Sequence, residues 1–182
     1  MAIFVDPPQW PWRGRLWCHL ISDISLDELH AFAREAGLRY LSFGFDHYDV
    51  PEDLFVHVQD LGAQVIDPRE VVRKLRTSGL RTMKGKSAKR WKYSPEGLAD
   101  VPVAGADNLA EAMARAVGPD VINVVNVEVL VRPSEVALVA SGPKQPDELS
   151  PLREAAGAAC TFLGASPGPW GWAIEAIWRT DT

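Results

Sequence analysis

Three helix-length segments follow one another in the first eighty residues, each opening on a capping side chain and closing on a glycine. Ser25, with Glu28 three positions on, makes a capping box ahead of the apolar stripe Leu26, Leu29, Phe32, Ala33 and Ala36, and Gly37 ends it. Asp49 and Glu52 precede Leu54, Phe55, Val58 and Leu61, which Gly62 stops. Asp67 caps a third helix with Pro68 in its first turn, running to Gly79. The apolar runs at residues 3–5, 16–21, 41–45 and 63–66 read as strands. Such an order predicts a small layered α/β unit, with helices covering a largely parallel sheet and working groups at the strand ends. The proline-rich stretch Pro7-Pro8-Gln9-Trp10-Pro11-Trp12 cannot be helical and reads as a stiff aromatic loop.

The later residues follow a different pattern. Residues 82–105 are rich in Lys, Gly, Ser and Pro without periodicity, so residues 83–105 read as a basic connector between a domain at 1–82 and an extension at 106–182. In the extension, Asp107 opens a helix with the stripe Leu109, Ala112, Met113, Ala116 and Val117, closed by Gly118-Pro119. Residues 121–131 and 135–140 are β-rich around Arg132-Pro133-Ser134; a helix over 149–163 and a strand over 172–178 complete an α-β-β-α-β part. Asn123, Asn126, Glu128 and Glu175 fall within these strands, where they suit either the lining of a pocket or, more simply, the outer face of an antiparallel sheet. The loop Ser166-Pro167-Gly168-Pro169-Trp170-Gly171-Trp172 suits either a cover over a ligand or a homodimer contact.

The composition, 47% hydrophobic and 24% charged over 182 residues, is that of a chain with a packed core. The opening Met1-Ala-Ile-Phe-Val5, cut short by Asp6-Pro7-Pro8, lacks the parts of a secretory signal, and no apolar run approaches the roughly 18 residues of a membrane span. A cytoplasmic protein with no membrane contact is expected. Cys18 and Cys160, in apolar surroundings, read as reduced core thiols. The net charge of −5 is uneven: residues 69–92 hold ten Lys or Arg and one acid, a local +9, which leaves −14 for the rest.

Chemistry is concentrated early. His19, His30, His47 and His57 all precede residue 58, together with Asp6, Asp23, Asp46 and Asp49. Neutral imidazole and carboxylate are the donors expected for zinc, manganese or iron, and the same pair serves as a base with its orienting group. His19 and His47 carry most weight, since each ring nitrogen of a buried histidine needs a partner and aspartates flank His47. His19, His47, Asp49 and Asp6 are thus the candidate metal ligands; His47, Asp49, His19, Asp23 and Tyr48 are the candidate catalytic groups. Asp49 and Asp23 also have plain readings as caps, His30 as a half-buried structural side chain, and His57 as an exposed one. Trp10, Trp12, Arg13 and His30 are the candidate substrate contacts. A glycine-rich phosphate loop and a serine-hydrolase elbow are both missing.

The runs Phe4-Val5-Asp6, Trp10-Pro11-Trp12-Arg13-Gly14-Arg15-Leu16-Trp17-Cys18-His19-Leu20, Ser22-Asp23, Asp27-Glu28-Leu29-His30 and Asp46-His47-Tyr48-Asp49-Val50-Pro51 closely resemble the bacterial and phage family catalogued as domain of unknown function 4031. The resemblance spans about residues 2–82 and implies that Asp6, Trp10, His19, Asp23, His30, His47, Tyr48 and Asp49 occupy its characteristic polar and aromatic positions. It implies no activity. Between Pro51 and Gly62 the chain lacks the arginine expected in that family's helix, with Phe55, Val56 and His57 instead. Residues 100–182 lie beyond the usual family length.

Three functions follow as expectations. The first is a metal-dependent hydrolase or phosphoesterase acting on a small or phosphate-containing substrate, in which a divalent metal lowers the pKa of a bound water. The second is a non-catalytic nucleic-acid-binding or regulatory module using residues 69–93, where Lys84, Lys86, Lys89, Arg90 and Lys92 alternate with Trp91 and Tyr93. The third is a metal-free small-molecule enzyme with His47 and Asp49 as acid and base.

Overall fold

In the computed structural model, which describes residues 2–81, 90–118, 125–168 and 171–180, the chain divides into two units, Met1–Gly85 and Lys86–Thr182. The first unit contains strands β1 (Ile3–Val5), β2 (Trp10–Trp12), β3 (Arg15–Ser22), β4 (Tyr48–Pro51) and β5 (Gln64–Val65), and helices α1 (Leu26–Glu35), α2 (Phe55–Asp60) and α3 (Pro68–Thr77). The strands run β2-β3-β1-β5, and β4 also pairs with β3.

Among the described residues of this unit only β1 and β5 pair in parallel; β3 is antiparallel to β1, β2 and β4, so the expectation of a largely parallel sheet is corrected. Parallel neighbours need a long crossover, whereas the aromatic segment read as a loop is itself β2 and turns straight into β3. Arg13 (φ 50°) and Gly14 (φ 77°) are both left-handed, as the two central residues of a tight primed hairpin turn must be.

Alternation along β3 sorts the faces. Cys18 and Leu20 pair with Val50 and Tyr48 on one face, and Tyr48 bonds His30 of α1, so α1 covers that side with Leu29, Phe32 and Ala33 buried. Ile21 lies on the other face, where α3 packs Val71 and Leu75 against it and Phe4. Truncating a fully buried residue such as Leu29 to Ala would cost about 2–5 kcal/mol.

The Ser25 side chain accepts from the Glu28 amide as expected, but Glu28 itself bonds Ser22 Oγ and the Ala2 amide instead of completing the box. Asp67 caps α3 through the Arg69 amide at 2.8 Å. Residues 41–45 are not a strand: a 3-10 turn, Tyr40–Ser42, leads to an isolated bridge between Phe43 and Tyr48. Asp49 is not a helix cap either, because it lies inside β4, and α2 begins only after a 3-10 turn at Glu52–Leu54 with no side-chain cap.

The second unit contains β6 (Lys92–Tyr93), α4 (Ala106–Val117), β7 (Asn126–Arg132), β8 (Glu135–Gly142), α5 (Ser150–Ala156), β9 (Cys160–Gly168) and β10 (Gly171–Arg179). Its antiparallel sheet runs β6-β7-β8-β10-β9. Leu109, Met113 and Val117 of α4 and Leu152 of α5 pack on Leu138, Ile174 and Trp178. Part of the expected connector belongs here, since β6 joins the sheet and Val101 is in the core. The helix expected over 149–163 ends at Gly157, whose φ of 75° breaks it, and an unforeseen strand follows from Cys160. Glu175 is buried, contrary to the expectation of an exposed face.

Lys84, Lys86, Lys89, Asn123, Pro169 and Trp170 lie outside the described residues. Among the described residues no helix is long and apolar enough to cross a membrane.

Candidate functional site

The register of β3 on β4 sets His19 directly opposite Asp49, on the face that carries Ile21 rather than the one under α1. Asp6, the first residue after β1, is buried beside them. Its carboxylate accepts from the His19 backbone amide, lies 3.0 Å from His19 Nδ1, and accepts from Trp10 Nε1 at 3.3 Å. His47 is held in the same manner. Its Nδ1 bonds the buried carboxylate of Asp46, whose other oxygen is 3.6 Å from the Arg81 guanidinium.

With both Nδ1 atoms on buried carboxylates, the proton of each neutral ring belongs on Nδ1 and the lone pair on Nε2. Those lone pairs point to one place. His47 Nε2 is 3.4 Å and His19 Nε2 4.0 Å from Asp49 Oδ1, and the rings meet edge to face at 5.1 Å. Among the described residues, His19, His47 and Asp49 offer donor atoms all within 4.8 Å of one another. Asp49 is half exposed, so the cluster opens to solvent on its carboxylate side.

The loop carrying Asp46 and His47 is shaped for this. Phe45 is left-handed at φ 74°, an uncommon state for a bulky residue and one that tends to occur at working sites. At Gly44 a Cβ would lie 2.9 Å from His47 Cε1, so the ring rests where only glycine leaves room.

The electrostatics follow the contacts. Burial works against the Asp6 charge, but the hydrogen bonds from His19 and its positive form, with the Trp10 indole, hold the carboxyl below its ordinary 3.8. Burial also works against charging His47, yet the bonds to Asp46 and Asp49 prevail and raise its pKa above 6.5. Burial and the nearby Asp6 and Asp49 charges push the Cys18 thiol up to about 12, so it is no nucleophile.

The other candidates fall elsewhere. Asp23 sits by the opposite end of β1 and pairs with Lys74 Nζ at 2.7 Å. Tyr48 and His30 lie on the α1 face, joined at 2.8 Å and packed among Tyr40 and Phe43, so they build the core beneath the site. His57 is exposed on α2. Trp12 and Arg13 are exposed at the β2–β3 turn. Gly44 and Arg81 were missed as site residues: Gly44 falls in the run 41–45 read as a strand, and nothing along the chain ties Arg81 to Asp46.

Residues 3–78 match the family described as a protein of unknown function (DUF4031). No curated protein and no solved structure matches the chain.

Proposed function

We propose that the first unit, a domain of the DUF4031 family over residues 3–78, binds one divalent metal ion and uses it for hydrolysis of phosphoesterase type. The observation that carries this reading is the pairing of each histidine with its own buried carboxylate, which leaves two Nε2 atoms facing Asp49. Carboxylate behind imidazole is the arrangement that orients metal-bound histidines and raises their basicity. His19, His47 and Asp49 would hold the ion, with Asp6 and Asp46 behind them. Two imidazoles and a carboxylate suit zinc, manganese or iron and leave positions for water and substrate. When bound, such an ion brings the pKa of a coordinated water near 7.

Trp10, Trp12 and Arg13 would receive the substrate, and Arg81 would hold Asp46 aimed at His47. The two cysteines, both free, fit a cytoplasmic setting. A nucleic-acid module built on the basic segment is less well supported, because Arg73, Lys74 and Arg81 each face a carboxylate of their own unit at 2.6, 2.7 and 3.6 Å.

Elemental analysis of protein purified without a metal-affinity tag tests the proposal. About one zinc, manganese or iron per chain, removed by chelation and restored on addition, is the expected result. A chain that carries none and takes none up overturns it; catalytic activity that survives chelation would instead favour His47 and Asp49 as a metal-free acid–base pair.

A further inference from the structure

Three tryptophans share the site's face. Trp10 pairs with Trp17 across β2 and β3, and Trp12, Trp17 and His19 each follow at the two-residue interval that returns a side chain to the same side. The Trp10 ring is 5.5 Å from the His19 ring, and Trp12 meets Trp17 edge to face at 5.4 Å. Trp10 is 47% and Trp12 57% exposed, although indoles of this size usually seek burial.

The hairpin that presents them is well held. Trp17 Nε1 donates to the Trp12 carbonyl at 2.9 Å, which fixes the backbone without using the Trp12 ring. Arg13 takes a left-handed conformation that an Asn or Gly would adopt more easily, and its guanidinium lies 4.5 Å from the centre of the Trp12 ring. An unfavourable backbone state thus keeps a cation beside an exposed aromatic face, within two short strands of the histidine cluster.

We infer that this hairpin is the binding platform for a nucleotide, whose base stacks on Trp12 or Trp10 and whose phosphate meets the His19–His47–Asp49 cluster. The inference rests on the metal reading above, since the ion supplies most of the positive charge that the phosphate meets. Flat rings select a flat ligand, and stacking tolerates any base. A divalent ion selects an anion. A sugar would use the rings and waste the charge; an inorganic anion would do the reverse. Both features are present in a nucleotide, either free or within a single strand.

Binding is measured by calorimetry on protein loaded with manganese, its metal content determined on the same sample, against AMP, ribose 5-phosphate and a short oligoadenylate. AMP or the oligoadenylate should bind at least about ten-fold more tightly than ribose 5-phosphate, the gain that one stacked base provides. Trp12→Ala or Trp10→Ala should erase that gain, and the matching substitution by Phe should keep most of it. Preference for the oligoadenylate, weakening steeply with salt, identifies a strand as the source; preference for AMP identifies a free nucleotide. If metal-loaded protein binds ribose 5-phosphate as tightly as both, or if neither Trp12→Ala nor Trp10→Ala changes anything, this inference is wrong and the metal reading stands. Protein that takes up no manganese or other divalent ion contradicts both.

Discussion

His19 and Asp49 are register partners on adjacent antiparallel strands, with His19 Nε2 4.0 Å from Asp49 Oδ1. That pairing places one proposed metal donor opposite another on the sheet, and only His47 has to be delivered by a loop. Sites built on strands hold their geometry better than sites built on loops. The first prediction therefore concerns the loop.

Gly44→Ala puts a methyl group within 2.9 Å of His47 Cε1 and must displace the ring. Metal affinity should fall about ten-fold, at the lower end of what a disturbed ligand orientation costs. Titration with zinc, monitored by calorimetry, checks this; unchanged affinity would mean that His47 is not a ligand.

Asp6→Asn removes the charge behind His19 while keeping its shape. A loss of about 10–100-fold in metal affinity is expected, as for other carboxylates behind a metal-bound histidine. The same titration decides it, with circular dichroism to confirm folding.

The pH response separates folding from metal uptake. His47 is held protonated above its ordinary 6.5, so in the metal-free protein its contribution to stability is fully present below 6.5 and is lost as pH rises through the raised value. Metal competes with that same proton, so the rise in Tm produced by metal should grow over the same interval. Asp6 is the opposite case: held below 3.8, it contributes stability above that value and loses it as pH falls through the lowered one. Thermal melts with and without metal from pH 3 to 9 (a range on the order of the ordinary Asp and His pKa values) would reveal both slopes. A metal-induced shift that shrinks as pH rises past 6.5 would contradict the assignment of His47.

Tyr48→Phe removes the hydroxyl 2.8 Å from His30 Nδ1 on the far side of β4. Stability should fall by about 1–2 kcal/mol, the usual cost of a lost buried hydrogen bond, with metal affinity unchanged. Urea denaturation measures the first and titration the second; a fall in affinity would return Tyr48 to the site.

Arg13→Asn replaces a residue strained at φ 50° by one that favours this turn before Gly14. It should stabilise the first unit by about 1 kcal/mol, read from urea denaturation. Lower stability would mean that the Arg13–Trp12 contact outweighs the backbone cost.

What the sequence disclosed depended on how local the determining physics is. The helices α1 and α3 were legible because Ser25 and Asp67 bond amides two or three residues away. Strand direction was not, since it follows from the Arg13-Gly14 turn and from which neighbours β3 meets. Asp49 carried two readings, helix cap and site residue, and its place inside β4 was not foreseen. The signal that could have shown the strand was Pro51, which drives Val50 to an extended state. The closeness of His19, His47, Asp49 and Asp6 was legible in residue type, in the place of Asp6, His47 and Asp49 just past expected strands, and in the partners a buried strand histidine such as His19 needs. Asp23 was wrongly grouped with them because β1 and β3 run antiparallel, which carries Asp23 to the far end of β1 from Asp6. Arg81 follows α3 and reaches Asp46 only through tertiary folding, which no spacing along the chain encodes.

The central claim is best tested by anomalous diffraction from crystals grown with manganese or zinc. A single strong peak within about 2.0–2.3 Å of His19 Nε2, His47 Nε2 and an Asp49 oxygen is the predicted result. Crystals saturated with metal that show no peak there, or show one only at other residues, would contradict the account.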